Sequence, residues 1–318
     1  MMHTAMKIFG AEPLTWAKLQ NIDGTAPQLI IWAVPVMLAF TGLEYWLNNH
    51  DKRDYYNNKE LLGSIFVGLG NLASNLVTKV LLFAMVWVVY NMIPWRQEFV
   101  WWMFFPCYIL LDFCSYWAHR ISHEQRFWWC THITHHSGNH YNLAVSFRLS
   151  WIQQFKIIFF LPVVLAGFHP MIFFVANQVA VLFQFWVHSE YVPRLHPLIE
   201  YIFATPSNHK VHHGSQEKYL DVNYGATFII WDRMFGTYQP LEERPVYGLT
   251  TPIPYSSNPF YLNFHEIKEI AKDVAKAHTF RQKMFYIFGS PSKIGLMKKR
   301  EAEALAAAAA QPAEEVEA

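Results

Sequence analysis

Eight of the 16 histidines in this chain fall in three short stretches. These are His119-Arg-Ile-Ser-His123, His132-Ile-Thr-His135-His136 and His209-Lys-Val-His212-His213. The first is spaced i, i+4, and each triplet i, i+3, i+4. On an α-helix those offsets bring the side chains to one face, a turn apart. Imidazole is a common ligand for zinc, copper, iron and nickel, and eight imidazoles suffice for two ions with about four nitrogens each. One i, i+4 pair is an everyday surface coincidence. Two triplets and a pair, each close to an apolar run, are not, and the pattern predicts metal binding.

Other residues bear on the same chemistry. His188 ends an apolar run and is a further candidate ligand. Glu124 follows His123 directly and is either a solvated carboxylate or an acceptor that orients a ligating imidazole through its other N–H. Asp112, seven residues before His119 on roughly the same helical face, Asp221 and Asp232 admit the same two readings. The stretch Asp221-Val-Asn223-Tyr-Gly225 reads most simply as a turn built on Asx side chains. His140, His169 and His196 are not expected to be ligands, since His169 and His196 each precede a proline in a turn or loop. A membrane zinc hydrolase is the alternative of a different class, but His123-Glu124 does not continue as H-E-x-x-H, because position 127 is Phe. A hydrolytic zinc needs only three protein ligands and a water. The excess of nitrogen donors suits two metals that cycle redox state. A non-catalytic metal-storage protein is the third class, in which the histidines would serve metal content alone.

Elements must hold these residues, and the composition says where. Of 318 residues, 53% are hydrophobic and 15% charged, against roughly 25% charged in a soluble domain. The formal net charge of +1 implies no nucleic acid or other polyanion as partner. Cys107, Cys114 and Cys130 form no C-x-x-C pair and read as buried thiols. Lys7, Glu12 and Lys18 precede any apolar run, unlike a cleaved signal peptide.

The expected fold is all-α: an integral membrane helical bundle of about four spans, one of them a hairpin, under a cytosolic histidine-rich helical cap. Residues 1–27 form an N-terminal surface segment, and 28–118 the transmembrane helices. The runs within the latter are 28–47 with Pro35 as a kink, 61–90 interrupted by Asn71, Asn75 and Lys79, and 99–117. Residues 119–245 form the metal-binding core, with a membrane hairpin at 151–188 broken at Gly167-Phe-His-Pro170. Ser207 is a candidate N-cap and Gly214 a candidate stop for the third box. A C-terminal helical region covers 246–303, with one helix over 265–285 that packs on the polar domain or lies on the membrane, and 304–318 form a disordered tail. If 61–93 cross once, the three boxes and His188 share a side with Lys52, Arg53, Lys59, Arg120 and Arg126, which the positive-inside rule places in the cytosol.

Longer stretches carry a family resemblance: DFCSYWAHRISHE (112–124), THHSGNHYNLAVSFRLS (134–150), FQFWVHSE (183–190), EYIFATPSNHKVHHG (200–214) and DVNYGATFIIWDRMFGTYQP (221–240). Over roughly residues 100–255 the chain resembles the fatty acid hydroxylase/sterol desaturase superfamily of membrane di-iron enzymes, and within it the alkylglycerol monooxygenase branch. The resemblance implies iron ligands at His119, His123, His132, His135, His136, His209, His212 and His213, with His188 as a further ligand. It implies Glu124 as a candidate essential residue. It also implies O2 activation at two irons and attack on a lipid C–H bond, giving a hydroxylated or desaturated lipid. In the ether-cleaving branch, hydroxylation beside the ether oxygen gives a hemiacetal that collapses to an aldehyde and a glycerol lipid. The implied reductant is external: tetrahydrobiopterin, or an electron donor such as cytochrome b5 or a ferredoxin. The implied setting is the endoplasmic reticulum or a bacterial inner membrane. Asn208, where the branch often has His, and His140, where it has an acidic residue, depart from the pattern and bear on substrate and reductant.

Overall fold

A computed structural model describes residues 12–251, 253–254 and 257–310. The expectations for residues 1–11 and 311–318 lie outside the described residues. The fold is all-helical, with only isolated bridges, Phe203 to Phe228 and Gly214 to Tyr247, and no strand among the described residues.

A short helix α1 (Trp16–Thr25) precedes α2 (Leu29–His50), and α3 (Asn58–Met92) follows. Both α2, together with α1, and α3 are long and apolar enough to cross a membrane. Their burial is inverted relative to a soluble helix. On α2 the buried residues are Thr41, Glu44 and Asn48, while Ile31, Trp32, Phe40 and Trp46 are exposed. On α3, Glu60, Ser64 and Asn71 face inward and Leu72, Leu76, Val77 and Val80 outward. Polar groups that seek partners inside and apolar ones that face out are what hydrocarbon surroundings select. The run 61–90 is thus part of one continuous 35-residue helix. Its polar interruptions have partners: Asn71 donates to the Ser150 carbonyl, Ser74 to that of Trp151, and Lys79 pairs with Asp23 of α1 at 2.6 Å.

Those contacts explain a departure from the expected hairpin. Its first arm is a 3-10 segment, Gln153–Phe160, followed by the single turn α7 (Leu161–Leu165), because α3 hydrogen-bonds the backbone entering that arm. Trp151 lies over Gly70, where any Cβ would overlap its indole. The turn falls where the sequence breaks: Gly167 adopts φ +80°, and His169 caps the next helix by accepting from the Met171 N–H. That helix, α8 (Pro170–Trp186), packs on α4 (Phe104–Glu124). The core joins α1, α3, α4, α7 and α8 through Leu19, Val86, Leu111, Val163, Phe173 and Ala176.

The polar part is made of short helices: α5 (Arg126–Trp129), α6 (Ile133–His136), α9 (Pro197–Ile202), α10 (Pro206–His212) and α11 (Ile230–Phe235). The expected helix over 265–285 is two, α12 (Pro259–Lys276) and α13 (Phe280–Phe288), because Thr279 and Gln282 form a capping box that starts the second. Arg126, 3% exposed, fastens α12 to the core through Glu266 and Asp273, both at 2.5 Å. The last helix, α14 (Pro291–Ala310), continues through residues 304–310, the first part of a stretch whose sequence reads as a frayed helix or disorder.

Candidate metal centre

Each box is presented by a local device the sequence encodes. Helix α4 carries His119 and His123 one turn apart at its end. It is anchored lower down by Asp112, whose carboxylate accepts the Thr227 N–H (2.8 Å), the Phe228 N–H (3.1 Å) and the Trp231 indole N–H (2.9 Å). The second box bends back on itself: the chain turns after α5, and His132 stands at the N-terminus of α6. The third box occupies α10. Its N-cap is Thr205, rather than Ser207, because Pro206 takes the first helical position, where its missing N–H costs nothing. Thr205 in turn donates to Glu200 at 2.7 Å.

The nine histidines converge into two adjoining groups: His119, His123, His132, His136 and His212 in one, and His135, His188, His209 and His213 in the other. Successive residues on a helix point about 100° apart, so the neighbours His135 and His136 serve different groups, as do His212 and His213. In the first group the Nε2 atoms of His119 and His132 are 2.8 Å apart, of His132 and His136 3.2 Å, and of His136 and His212 3.1 Å. In the second, those of His135 and His188 are 3.1 Å apart, of His188 and His209 3.0 Å, and of His135 and His213 3.2 Å.

The opposite ring nitrogens fix the tautomer of three ligands. His119 Nδ1 donates to the Tyr224 carbonyl (2.8 Å), His212 Nδ1 to that of Val222 (2.9 Å) and His188 Nδ1 to that of Gln184 (2.8 Å). His123 Nδ1 faces Asp221 at 3.5 Å. With Nδ1 donating, Nε2 carries a lone pair turned inward. Burial holds all nine imidazoles below their ordinary range, His188 down to about 4. They are therefore neutral near pH 7. The Nε2–Nε2 contacts of 2.8–3.2 Å match the spacing of donors that share one ion. Two nitrogens bound at ~2.1 Å to one ion lie ~3.0 Å apart at right angles and ~3.4 Å apart tetrahedrally. The donor set thus fits two metal ions, and the buried His123 Nε2 has no other partner among the described residues.

The segment 221–225 is a turn, as expected, and it also orients ligands. Asp221 and Asn223 adopt φ +56° and +57°. Asn223 clamps the turn by donating to the Asn208 and Gln239 carbonyls. Asp232 accepts the Tyr224 N–H, the Gly225 N–H and the Thr237 hydroxyl, each at 2.7 Å. The turn thereby aims the Val222 and Tyr224 carbonyls at His212 and His119. Of the four carboxylates considered from sequence, Asp221 touches a box histidine directly, while Asp232 and Asp112 act through backbone. Glu124 lies in neither group; it pairs with Arg120 at 2.8 Å on a half-exposed face. His140 sits against Glu60 (3.2 Å), and His169 and His196 cap helices.

Sequence reasoning passed over Glu44 and Tyr141. The Glu44 carboxylate, buried on α2, accepts from Ser189 (2.5 Å), Tyr56 (2.6 Å) and the Leu143 N–H (2.8 Å), and so holds the residue after His188. Tyr141 donates to the Val187 carbonyl and packs against His213 and His188. A lone carboxylate inside an apolar run was the available signal for Glu44.

Two histidine cages at the end of apolar helices define a class, and comparison with known proteins agrees. Residues 104–237 match the fatty acid hydroxylase family. Among curated proteins, the chain is 40% identical over 209 residues to alkylglycerol monooxygenase of Xenopus tropicalis and 37% identical over 209 residues to that of Homo sapiens. Each match covers 65% of this chain and 46% of the relative. The ornithine lipid hydroxylase OlsE of Rhizobium tropici is 31% identical over 132 residues, 41% of this chain and 40% of the relative. The chain thus spans about half the length of the alkylglycerol monooxygenases it matches. No solved structure matches.

Proposed function

We propose that this protein is a membrane-bound di-iron lipid monooxygenase whose substrate is an alkylglycerol, oxidised at the carbon beside the ether oxygen. The observation that carries the reading is the gathering of nine neutral imidazoles, seven of them buried and two half-buried, into two adjoining cages at the ends of apolar helices. The alkylglycerol monooxygenases matched over the same region narrow the substrate. Helices α2, α3 and α4 with the 151–188 hairpin cross or enter the bilayer. The excess of Lys and Arg on the box side puts the cages at the cytosolic face of the endoplasmic reticulum or a bacterial inner membrane.

Two irons, when bound, supply O2 activation and oxidation of a C–H bond. The box histidines and His188 would hold them, and the Tyr224, Val222 and Gln184 carbonyls keep Nε2 of three ligands turned inward. Burial of the cages excludes bulk water. One oxygen atom enters the substrate, and the resulting hemiacetal collapses to an aldehyde and a glycerol lipid. The other leaves as water, which requires two electrons from tetrahydrobiopterin or from a donor such as cytochrome b5 or a ferredoxin. A second reading, hydroxylation or desaturation of another lipid without ether cleavage, is favoured by the likeness to an ornithine lipid hydroxylase.

The test is turnover of a 1-O-alkylglycerol by membranes carrying the iron-loaded chain, with O2 and a panel of reductants. Fatty aldehyde and free glycerol are expected, and His135→Ala should abolish both while membrane insertion is retained. Unchanged alkylglycerol with another lipid gaining an oxygen would sink the ether reading. Product formed without O2 would point to a hydrolase.

A further inference from the structure

A cleft of about 440 Å³ lies between α2 and the end of α8, within the size range of small-molecule sites. One wall is a single stripe of α2 from Ala33 through Met37 and Phe40 to Leu47. Fifteen residues of helix, fourteen rises, make that stripe ~21 Å long, longer than the ~15 Å of one leaflet's hydrocarbon. The other wall is Leu182, Phe185 and Trp186 of α8. The rim stays open along α2, where Val36, Phe40 and Leu43 are about half exposed.

The two ends differ in chemistry. Around Ala33 the lining is wholly apolar. At the other end stand Ser189, held by Glu44, and Tyr191, whose buried hydroxyl has no hydrogen-bond partner among the described residues. Ser189 is next to His188, a member of the second cage. An apolar trough that opens sideways and ends at Ser189, the residue after the cage histidine His188, matches one amphiphile, with a hydrocarbon chain and a hydrogen-bonding head.

We infer that the hydrocarbon chain of the lipid substrate lies in this cleft, its tail towards Ala33 and its polar end at Ser189 and Tyr191. The cleft thereby presents to the second cage a carbon close to the head of the lipid, and not the far end of its chain. Selection is for the polar end, and the open rim tolerates different chain lengths. The inference rests on the lipid-oxygenase reading for the identity of its occupant.

The experiment uses the full chain in lipid nanodiscs with a glycerol monoalkyl ether that carries a diazirine in mid-chain. Photolabelling followed by peptide mapping should place the label on residues 33–47 and 182–192. Met37→Trp and Leu182→Trp, which fill the cleft from opposite walls, should each cut labelling by about tenfold, the loss expected when about two methylenes are denied burial. Their helicity and iron content report folding. The map on the unsubstituted chain stands whether or not the variants fold. Label concentrated on other segments, or undiminished in both folded variants, overturns the inference. Alkylglycerol oxidation together with label elsewhere would sink the cleft and keep the function. Label in the cleft with no lipid oxidised under any reductant would keep the cleft and sink the function.

Discussion

Asp232 offers the sharpest perturbation, because it belongs to neither histidine group and acts through three hydrogen bonds. Its buried carboxyl, which desolvation pushes up to about 6, is ionised at neutral pH and accepts from Tyr224, Gly225 and Thr237. In Asp232→Asn the remaining oxygen can keep Tyr224 and Thr237, but the new amide meets the Gly225 N–H donor to donor. One hydrogen bond to a charged group is lost, about 1.5–3 kcal/mol, and a buried N–H is left without an acceptor. The turn cannot readily move closer to compensate, since Gly225 already packs so tightly that a Cβ there would stand 2.6 Å from the Phe228 carbonyl. The Tyr224 carbonyl orients His119, so the loss falls on the first cage. Affinity there should drop about 10- to 100-fold, the usual cost of removing a partner behind a ligand. The two carbonyls that this turn aims meet His119 and His212, both of the first cage. Metal analysis after dialysis against graded chelator should show one ion released early and the other retained as in the unsubstituted chain. Equal loss of both ions from a chain with unchanged helicity, or loss of neither, would refute the reasoning.

Two further perturbations follow from the ion pairs. The hydrogen bond that the Glu60 carboxylate accepts from His140 raises the imidazole above its ordinary value. The stability it adds is fully present below the unfolded value of about 6.5 and is lost as pH rises through the raised one. The thermal midpoint in detergent should therefore fall as pH rises above about 6.5, and His140→Gln should flatten that slope; an unchanged slope would rule out this pair as its source. Arg126→Met would leave Glu266 uncompensated and Asp273 with only Lys298. Breaking such a buried pair costs about 3–5 kcal/mol, to be read as a lowered unfolding midpoint with metal content retained, because Arg126 ties α12 to the core without touching either cage.

What the sequence made legible was periodic or chemically rare. The spacing of the boxes put His119 and His123 on one helix face, and Gly167 with Pro170 marked the hairpin turn. Hydropathy located α2 and α3. What stayed hidden depends on contacts between distant segments. Asn71 and Asn75 read as interruptions of a span, yet Asn71 seats the backbone of residue 150, and so the first hairpin arm is 3-10. The division of the nine histidines into five and four follows from the angle between consecutive residues and from where α10 meets α6, which no single stretch encodes. Thr205 supplanted Ser207 as the cap because Pro206 fixes where the helix begins. Thr279 stopped an apparently continuous periodicity for a similarly local reason.

The adjacency of His135 with His136, and of His212 with His213, has a consequence for how this architecture can diverge. The two cages are spaced by two ordinary peptide units, each fixing neighbouring Cα atoms about 3.8 Å apart, and not by the placement of separate loops. Loops, termini and the lipid-facing walls can therefore drift without altering the interval at which two ions would sit. A single inserted residue in either doublet would change it at once. The doublets act as a ruler cut into the main chain.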